Sequence, residues 1–209
     1  AEETEQVKPI PYPEKQIPMN RFNDGKCDPA GRFWAGTMAM DEEGPTGALY
    51  VLETDLSVKK RVSDITISNG LAWTEDGKTM YYIDSPTREV AAYDYHLESG
   101  QITNKRVVVT IPDGEGIPDG MTIDAEGMLW VAHWGGYKVS RFNPETGERI
   151  GEVAVPAKQV TSCVFGGENL DELYITTARR GLGEDALLEH PESGSVFYVK
   201  TNVKGGETF

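Results

Sequence analysis

Residues 117–132 read Ile-Pro-Asp-Gly-Met-Thr-Ile-Asp-Ala-Glu-Gly-Met-Leu-Trp-Val-Ala, and this stretch decides the fold. An acid and a glycine, Asp119 and Gly120, stand at the start of one apolar run, and a second apolar run begins near Trp130. The Asp-Ala-Glu-Gly segment between the two runs has the composition of a tight turn. The stretch therefore predicts a β-hairpin that carries a carboxylate at one end.

The same pattern occurs four times along the chain. Its markers, Asn23, Asn69, Asp119 and Ser162, are separated by 46, 50 and 43 residues, and an aromatic residue follows each marker after 11 or 12 positions. Repeats of about 40–50 residues made of short strands and glycine turns are typical of β-propeller blades, each a four-stranded sheet. We predict an all-β, β-propeller fold with about four blades in this chain.

The repeats also predict the domain organisation. We expect one domain over residues 1–209, with an extended proline-rich lead over 1–19 and repeats at about 20–66, 67–115, 116–158 and 159–209. The segment at 186–189 is the one place that suggests a helical turn. Equivalent positions of propeller blades lie in one ring around the central axis, so the markers predict a ring of oxygen ligands.

Composition excludes several classes of partner. The 209 residues have a net charge of −14, which disfavours nucleic acid and anionic membranes because their phosphates would be repelled. The sequence has no run of 18 apolar residues and no basic region followed by an apolar one at its start, so we expect a soluble, cytoplasmic protein. Cys27 and Cys163 form no metal-binding or disulfide pattern, and we expect both in the core.

Serine hydrolysis has little support. No Gly-x-Ser-x-Gly motif is present, and none of the three histidines has a recognisable serine partner. Trp34, Trp73 and Trp130 fit core positions, whereas Trp134 is a candidate to face a ligand.

Six motifs, in order, closely resemble the regucalcin family, which is the senescence-marker-protein and gluconolactonase group and includes insect luciferin-regenerating enzymes. The resemblance covers roughly residues 19–205. The motifs are Arg-Phe-Asn-Asp-Gly-Lys (21–26), Trp-Ala-Gly-Thr-Met (34–38), Ile-Ser-Asn-Gly-Leu-Ala-Trp (67–73), Tyr-Ile-Asp-Ser (82–85), Ile-Pro-Asp-Gly (117–120) and Thr-Ser-Cys-Val-Phe-Gly-Gly (161–167).

The resemblance implies a six-bladed propeller and a lactonase that acts on sugar-acid lactones with one divalent metal in the central channel. It implies that Asn69 and Asp119 are metal ligands, with Asp119 also the catalytic acid and base. It implies that Arg21 and Asn23 contact the substrate, with a third contact at Asp41, where the family usually has Glu.

The front of the chain departs from the family pattern. About two further blades and a Glu metal ligand usually precede the first motif, and no residue here matches that ligand's motif. Glu2, Glu3, Glu5 and Glu14 are the acids of the lead, and none of them is assigned as the ligand. A fragment, a product lacking its N-terminal third, and a divergent form that closes its ring with another subunit all remain open.

The sequence therefore predicts a metal-dependent lactonase of the gluconolactonase type. The alternatives are a non-catalytic calcium-binding or interaction propeller and a hydrolase for another substrate class, because a fold does not fix the substrate. The ligand oxygens favour Ca²⁺, with Mg²⁺, Mn²⁺ and Zn²⁺ as other options. We expect a monomer or a dimer.

Overall fold

A computed structural model of the chain describes residues 8–206. Fifteen strands make up most of this range. They are β1 (Asn20–Cys27), β2 (Phe33–Ala39), β3 (Gly47–Leu52), β4 (Val58–Ile65), β5 (Ser68–Trp73), β6 (Thr79–Asp84), β7 (Glu89–His96), β8 (Gln101–Thr110), β9 (Ile117–Ile123), β10 (Leu129–Trp134), β11 (Lys138–Phe142), β12 (Arg149–Ala154), β13 (Gln159–Gly166), β14 (Glu172–Ala178) and β15 (Val196–Lys200).

The predicted hairpin at 117–132 forms because its turn satisfies its own backbone. The carboxylate of Asp124 accepts hydrogen bonds from the backbone N–H groups of Glu126 and Met128, at 3.0 and 2.9 Å. Gly127 takes the left-handed conformation, with φ of 80°, that residues other than glycine seldom adopt. β9 and β10 then pair as antiparallel neighbours.

Each repeat folds as an antiparallel meander. β1 to β4 form one four-stranded sheet in chain order, and β5 to β8 form a second. β9 to β12 pair in the same way, and β13 to β15 follow with three strands. A single residue pair, Trp134 with Gln159, joins these last two meanders into one seven-stranded sheet.

The first strands of the four meanders lie side by side at the centre. β1 contacts β5, β5 contacts β9, and β9 contacts β13. Three apolar clusters fill the spaces between successive meanders and form the core, which is the arrangement of β-propeller blades. Representative members are Trp34, Leu49, Trp73 and Tyr82 in the first cluster, Ile83, Val90, Met121 and Val131 in the second, and Val139, Ala157, Phe165 and Ile175 in the third.

Helix is scarce. A 3₁₀ turn covers Ser85–Thr87, and one short α-helix, α1, covers Glu184–Glu189 and includes the helical turn predicted at 186–189. No helix among residues 8–206 combines the length and the apolar character that a membrane span requires. The all-β prediction is therefore confirmed, whereas the number of blades stays a prediction.

The two cysteines differ in their surroundings. Both are free thiols, but only Cys163 is buried, where its Sγ donates to the backbone oxygen of Trp130. Cys27 is the last residue of β1 and is half-buried. The expectation of a core position was therefore wrong for Cys27, which keeps part of its surface exposed.

Candidate functional site

A cavity of about 340 Å³ lies where the four inner strands meet. It is lined by all four sequence markers: Asn23 of β1, Asn69 of β5, Asp119 of β9 and Ser162 of β13. Equivalent positions of the four repeats therefore come together at one place, as the repeat pattern predicts.

A break in strand pairing accompanies each marker. The register of the inner strand shifts between Phe22 and Gly25 in β1 and between Asn69 and Leu71 in β5. It shifts again beside Asp119 in β9, and between Val160 and Ser162 in β13. Such bulges re-aim a side chain that a regular ladder would direct elsewhere. The irregular pairing of the inner strands thus accompanies the placement of the markers at the cavity.

The glycines after two markers let the inner strands approach each other. A Cβ atom at Gly70 would lie 2.8 Å from the backbone oxygen of Asp119, and one at Gly120 would lie 2.3 Å from Ser162 Oγ. Any larger residue would push neighbouring strands apart. The Asn-Gly and Asp-Gly pairs are therefore needed for packing as well as for turning the chain.

Asn69 is held by a chain of hydrogen bonds that crosses three sheets. Its Oδ1 accepts from Asn23 Nδ2 at 3.0 Å, and its Nδ2 donates to Ser85 Oγ at 2.7 Å. Ser85 Oγ in turn donates to the backbone oxygen of Pro118 at 2.6 Å, next to Asp119. An amide oxygen has two acceptor sites, so Asn69 Oδ1 keeps one for a ligand.

Two of the carboxyl groups that line the cavity, those of Asp119 and Asp24, have a raised pKa. Burial and, to a smaller extent, the charge of Asp24 raise the pKa of Asp119 to about 8, and a hydrogen bond from the Gly120 N–H opposes them. Burial also raises the pKa of Asp24, against a hydrogen bond from Gly25 and the charge of Lys26. Both carboxyl groups therefore resist ionisation in the metal-free protein, and a bound cation would favour their charged forms.

Lys26 lies near Asp24, and the charges of the two groups favour each other's ionised form. Its Nζ donates to the backbone oxygen of Met121 at 2.9 Å, which links β1 to β9. Burial lowers the pKa of the ammonium, while the charges of Asp24 and Cys163 oppose that shift. Lys26 is therefore a tie between two inner strands.

Arg21 and Asn23, the expected substrate contacts, lie together at the cavity. Arg21 Nη1 donates to Asn23 Oδ1 at 2.9 Å and to the backbone oxygen of Phe22 at 3.0 Å. Asn23 Nδ2 donates to Asn69 Oδ1 and to the backbone oxygen of Ser68 at 2.8 Å. The two side chains therefore have fixed orientations beside Asn69.

Asp41 does not line this cavity. Its Oδ1 accepts a hydrogen bond from the Glu43 N–H at 3.1 Å, so it stabilises its own turn in the β2–β3 loop. Glu42, the next residue, lines the cavity instead and has a left-handed backbone with φ of 64°. The turn therefore brings Glu42, rather than Asp41, into the lining of the cavity.

Glu14 is a structural acid. It is buried, and its carboxylate accepts hydrogen bonds from Asn20 Nδ2, Thr37 Oγ1 and Tyr50 OH at 2.9–3.0 Å. These bonds fasten the lead to the first sheet. Glu2, Glu3 and Glu5 lie outside the described residues.

Several cavity residues were not assigned from the sequence. Asp24 stands next to Asn23 in the Asn-Asp-Gly motif, which was a usable signal, and Ser85 belongs to the Tyr-Ile-Asp-Ser motif. Glu42 and Arg180 come from loops without a recognisable pattern. Trp134, expected as a candidate to face a ligand, also lines the cavity.

The donor set fits a hard divalent cation. Asn69 Oδ1 and the carboxylates of Asp119 and Asp24 are oxygen donors at one cavity, and a cation would relieve the repulsion between the two acids. Within residues 8–206, no group of three or more His, Cys, Asp and Glu side chains is arranged to hold a metal. The described side chains therefore supply part of a coordination shell, which amide oxygens, water or a bound ligand would complete.

Comparison with known proteins places the chain in a family. The family described as the SMP-30/Gluconolactonase/LRE-like region matches residues 2–179. Human regucalcin is 51% identical over 89% of this chain and 64% of its own length. This chain therefore spans about two thirds of the length of that relative.

Solved structures give the same assignment. A luciferin-regenerating enzyme superimposes with a TM-score of 0.87 at 44% identity, covering 95% of this chain and 67% of that one. A calcium-binding protein, regucalcin, from Agrobacterium tumefaciens superimposes with a TM-score of 0.88 at 33% identity, covering 93% and 66%. The chain belongs to the SMP-30/gluconolactonase/LRE-like family.

Proposed function

We propose that the protein is a lactonase that opens sugar-acid lactones with the help of a divalent cation, most readily Ca²⁺. The observation that carries the proposal is the meeting of Asn69, Asp119 and Asp24, from three separate sheets, at one cavity of about 340 Å³. A cavity of this volume suits a small ligand such as a monosaccharide derivative. The family membership supports the same class of reaction.

Asn69 and Asp119 would hold the cation, with Asp24 as a further oxygen donor. A bound divalent cation polarises a carbonyl oxygen and stabilises the negative charge that develops on it. The hydrogen bonds from Asn23 and to Ser85 keep the Asn69 amide oriented toward this role.

Asp119 would transfer the proton. As water attacks the lactone carbonyl carbon, the carboxylate accepts a proton from that water. When the bond between the carbonyl carbon and the ring oxygen breaks, the same carboxyl returns a proton to the ring oxygen, and the product is a hydroxy acid. In the metal-free protein the pKa of this carboxyl is about 8, and a bound cation would lower it, so the carboxylate that accepts the first proton would be populated.

Arg21 and Asn23 would orient the sugar. Both line the cavity beside Asn69, and a guanidinium presents forked donors to hydroxyl or carboxylate oxygens. Asp41 was expected as a third contact, but its carboxylate bonds to the Glu43 N–H and it is not among the residues that line the cavity.

The test is lactone hydrolysis by Asp119→Asn. This change keeps the size of the side chain and removes its proton-transfer group, so we expect kcat to fall at least about 100-fold. Asp113→Asn is the matched control, because the Asp113 side chain is fully exposed and pairs only with Arg88 at the surface. Activity of the parent should disappear with EDTA and return with added Ca²⁺, Mn²⁺, Mg²⁺ or Zn²⁺. Undiminished hydrolysis by Asp119→Asn would refute the role given to Asp119.

The second candidate is a calcium-binding protein without catalysis. It is favoured by the two raised-pKa acids at one cavity and by a relative described as a calcium-binding protein. Saturable Ca²⁺ binding by a parent protein that hydrolyses none of a panel of lactones with any of the four cations would select this candidate.

A further inference from the structure

An ion pair lies across the mouth of the candidate site. Glu42, in the loop between β2 and β3, contacts the guanidinium of Arg180, which follows β14. Both residues line the cavity. The pair therefore connects a loop of the first sheet to a loop of the last meander at the exposed edge of the cavity.

The backbones of both partners are held in place. The Glu42 N–H donates to the backbone oxygen of Ala39 at 3.1 Å, and the Asp41 carboxylate secures the next peptide. On the other side, Gln159 Nε2 donates to the backbone oxygen of Arg180 at 3.4 Å. The two charges therefore sit at defined places on the rim even when their side chains separate.

The contact itself is easily exchanged. The side chains of Arg180 and Glu42 are 59% and 42% exposed, and ion pairs this accessible to water contribute little to stability. A carboxylate supplied by a ligand would meet the same forked N–H donors of Arg180 and could replace Glu42. Breaking the pair is therefore compatible with an intact fold.

Arg180 differs from the other arginine of the cavity. Arg21 already donates to Asn23 and to the backbone oxygen of Phe22, so its donors are partly used inside the site. Asp24 and Asp119 lie with Asn69 among the inner strands, where the cation and the reacting end of the ligand would occupy them. An anionic group of a ligand is thus best placed at the rim, against Arg180.

From this arrangement we propose that Arg180 is a specificity-determining residue that selects ligands carrying a carboxylate remote from the reacting end, with Glu42 as its internal competitor. The inference rests on the proposed lactonase function and names its substrate class as dicarboxylic sugar lactones. Glu42 occupies the guanidinium when no such ligand is bound, and the ligand carboxylate takes its place.

The experiment compares two lactones with the same ring. One is a six-carbon aldonolactone that ends in a hydroxymethyl group, and the other is the aldarolactone that ends in a carboxylate. Arg180→Gln should lower kcat/KM for the aldarolactone roughly tenfold and change that for the aldonolactone less than about twofold. Glu42→Gln should raise kcat/KM for the aldarolactone through a lower KM.

Arg179→Gln is the matched control. Arg179 precedes Arg180 and is exposed, but it does not line the cavity, so this change should leave the preference between the two lactones intact. Thermal unfolding of all three variants checks that the fold is kept. Equal losses on both lactones with Arg180→Gln, or an unchanged ratio, overturn the inference.

A binding measurement separates this inference from the proposed function. If the parent hydrolyses neither lactone, the lactonase proposal fails, and calorimetry with the open-chain aldarate and aldonate decides the role of Arg180. Tighter binding of the aldarate by the parent than by Arg180→Gln, with no such difference for the aldonate, supports the inference. Equal affinities in both proteins, or no binding of either acid, overturn it.

Discussion

Asp119 and Asp124 lie at opposite ends of one inner strand and have opposite surroundings. Asp124 is buried at the turn end, where its Oδ2 accepts from Trp130 Nε1 at 2.9 Å and from Arg141 Nε at 2.7 Å. Asp119 faces the cavity, where burial and the charge of Asp24 raise its pKa to about 8. Asp124 thus accepts hydrogen bonds from several side chains, whereas no side chain of the described residues donates a hydrogen bond to Asp119 that would offset its burial.

The first inner strand repeats the contrast. Asp28, at the turn end, accepts from Tyr95 OH, Arg32 Nε and Trp34 Nε1 at 2.6–2.8 Å. Burial alone would raise the pKa of Asp28, but these hydrogen bonds outweigh it and hold the pKa below its usual value. Asp24, at the cavity end, has a raised pKa. The acids at the turn ends therefore stabilise the fold, and those at the cavity ends leave carboxyl oxygens available for a ligand.

The strongest test of the contrast removes a turn acid. Asp28→Ala leaves the buried guanidinium of Arg32 without its carboxylate, so we expect the free energy of unfolding to fall by about 3–5 kcal/mol. Urea denaturation measures the change. Asp76→Ala, at an exposed turn acid of the second repeat, should lower it by about 1 kcal/mol or less. Similar losses in both variants would break the comparison.

The next test adds a cation at the cavity end. Ca²⁺ at a concentration of about 100 times its Kd should raise the free energy of unfolding by about 2.7 kcal/mol, because it binds only the folded protein. Asp119→Asn should lose most of this gain, while Asp113→Asn should keep it. Thermal unfolding in Ca²⁺ and in EDTA provides the measurement. An equal shift in the parent and Asp119→Asn would place the cation elsewhere.

A third test concerns a buried histidine beside the cavity end. His133 pairs with Pro118 across β9 and β10, and its Nδ1 donates to the backbone oxygen of Glu115 at 2.8 Å. Among the described residues, its buried Nε2 has no hydrogen-bond partner. Burial lowers the pKa of His133 to about 4, against the hydrogen bond to Glu115.

Stability should therefore fall on the acid side. The unfolded chain binds a proton at this histidine near pH 6.5, whereas the folded protein resists it down to about pH 4, so the contribution is present above pH 6.5 and is lost as pH falls toward 4. We expect a loss of about 2 kcal/mol across this range. His133→Gln should reduce the change in the free energy of unfolding with pH. His96→Gln, at an exposed histidine, should not. Urea denaturation at several pH values measures it.

The smallest expected effect is a gain in stability on replacing Asp119, whereas replacing Asp28 should lower stability. In metal-free protein the Asp119 carboxyl stays protonated up to about pH 8, while in the unfolded chain it ionises near pH 4, so stability falls as pH rises between these values. Asp119→Asn should therefore stabilise the protein in EDTA by about 1–2 kcal/mol at pH 8, a value discounted because the side chain is partly exposed. The gain should shrink at pH 5. A gain independent of pH would contradict the raised pKa.

The sequence predicted much of this arrangement, because equivalent residues of the repeats occupy equivalent places in the fold as well as equivalent places in their strands. Asn69 and Asp119 were expected at one site from their equivalent places in the pattern, and they line one cavity. Asp41 was expected there too, but its carboxylate bonds to Glu43 and the left-handed turn presents Glu42 instead. A shift of one residue in a loop is not encoded in any periodic signal.

The sequence by itself determined the strands, their turns and the equivalence of the repeats, because alternation and turn chemistry act between near neighbours in the chain. Only the tertiary structure decided which acids find donors. Asp28 meets Tyr95, 67 residues away, whereas Asp24, four residues earlier, faces Asp119 across the cavity. Such partners are brought together by packing of separate sheets, and the pKa of each acid follows from those partners and from its burial.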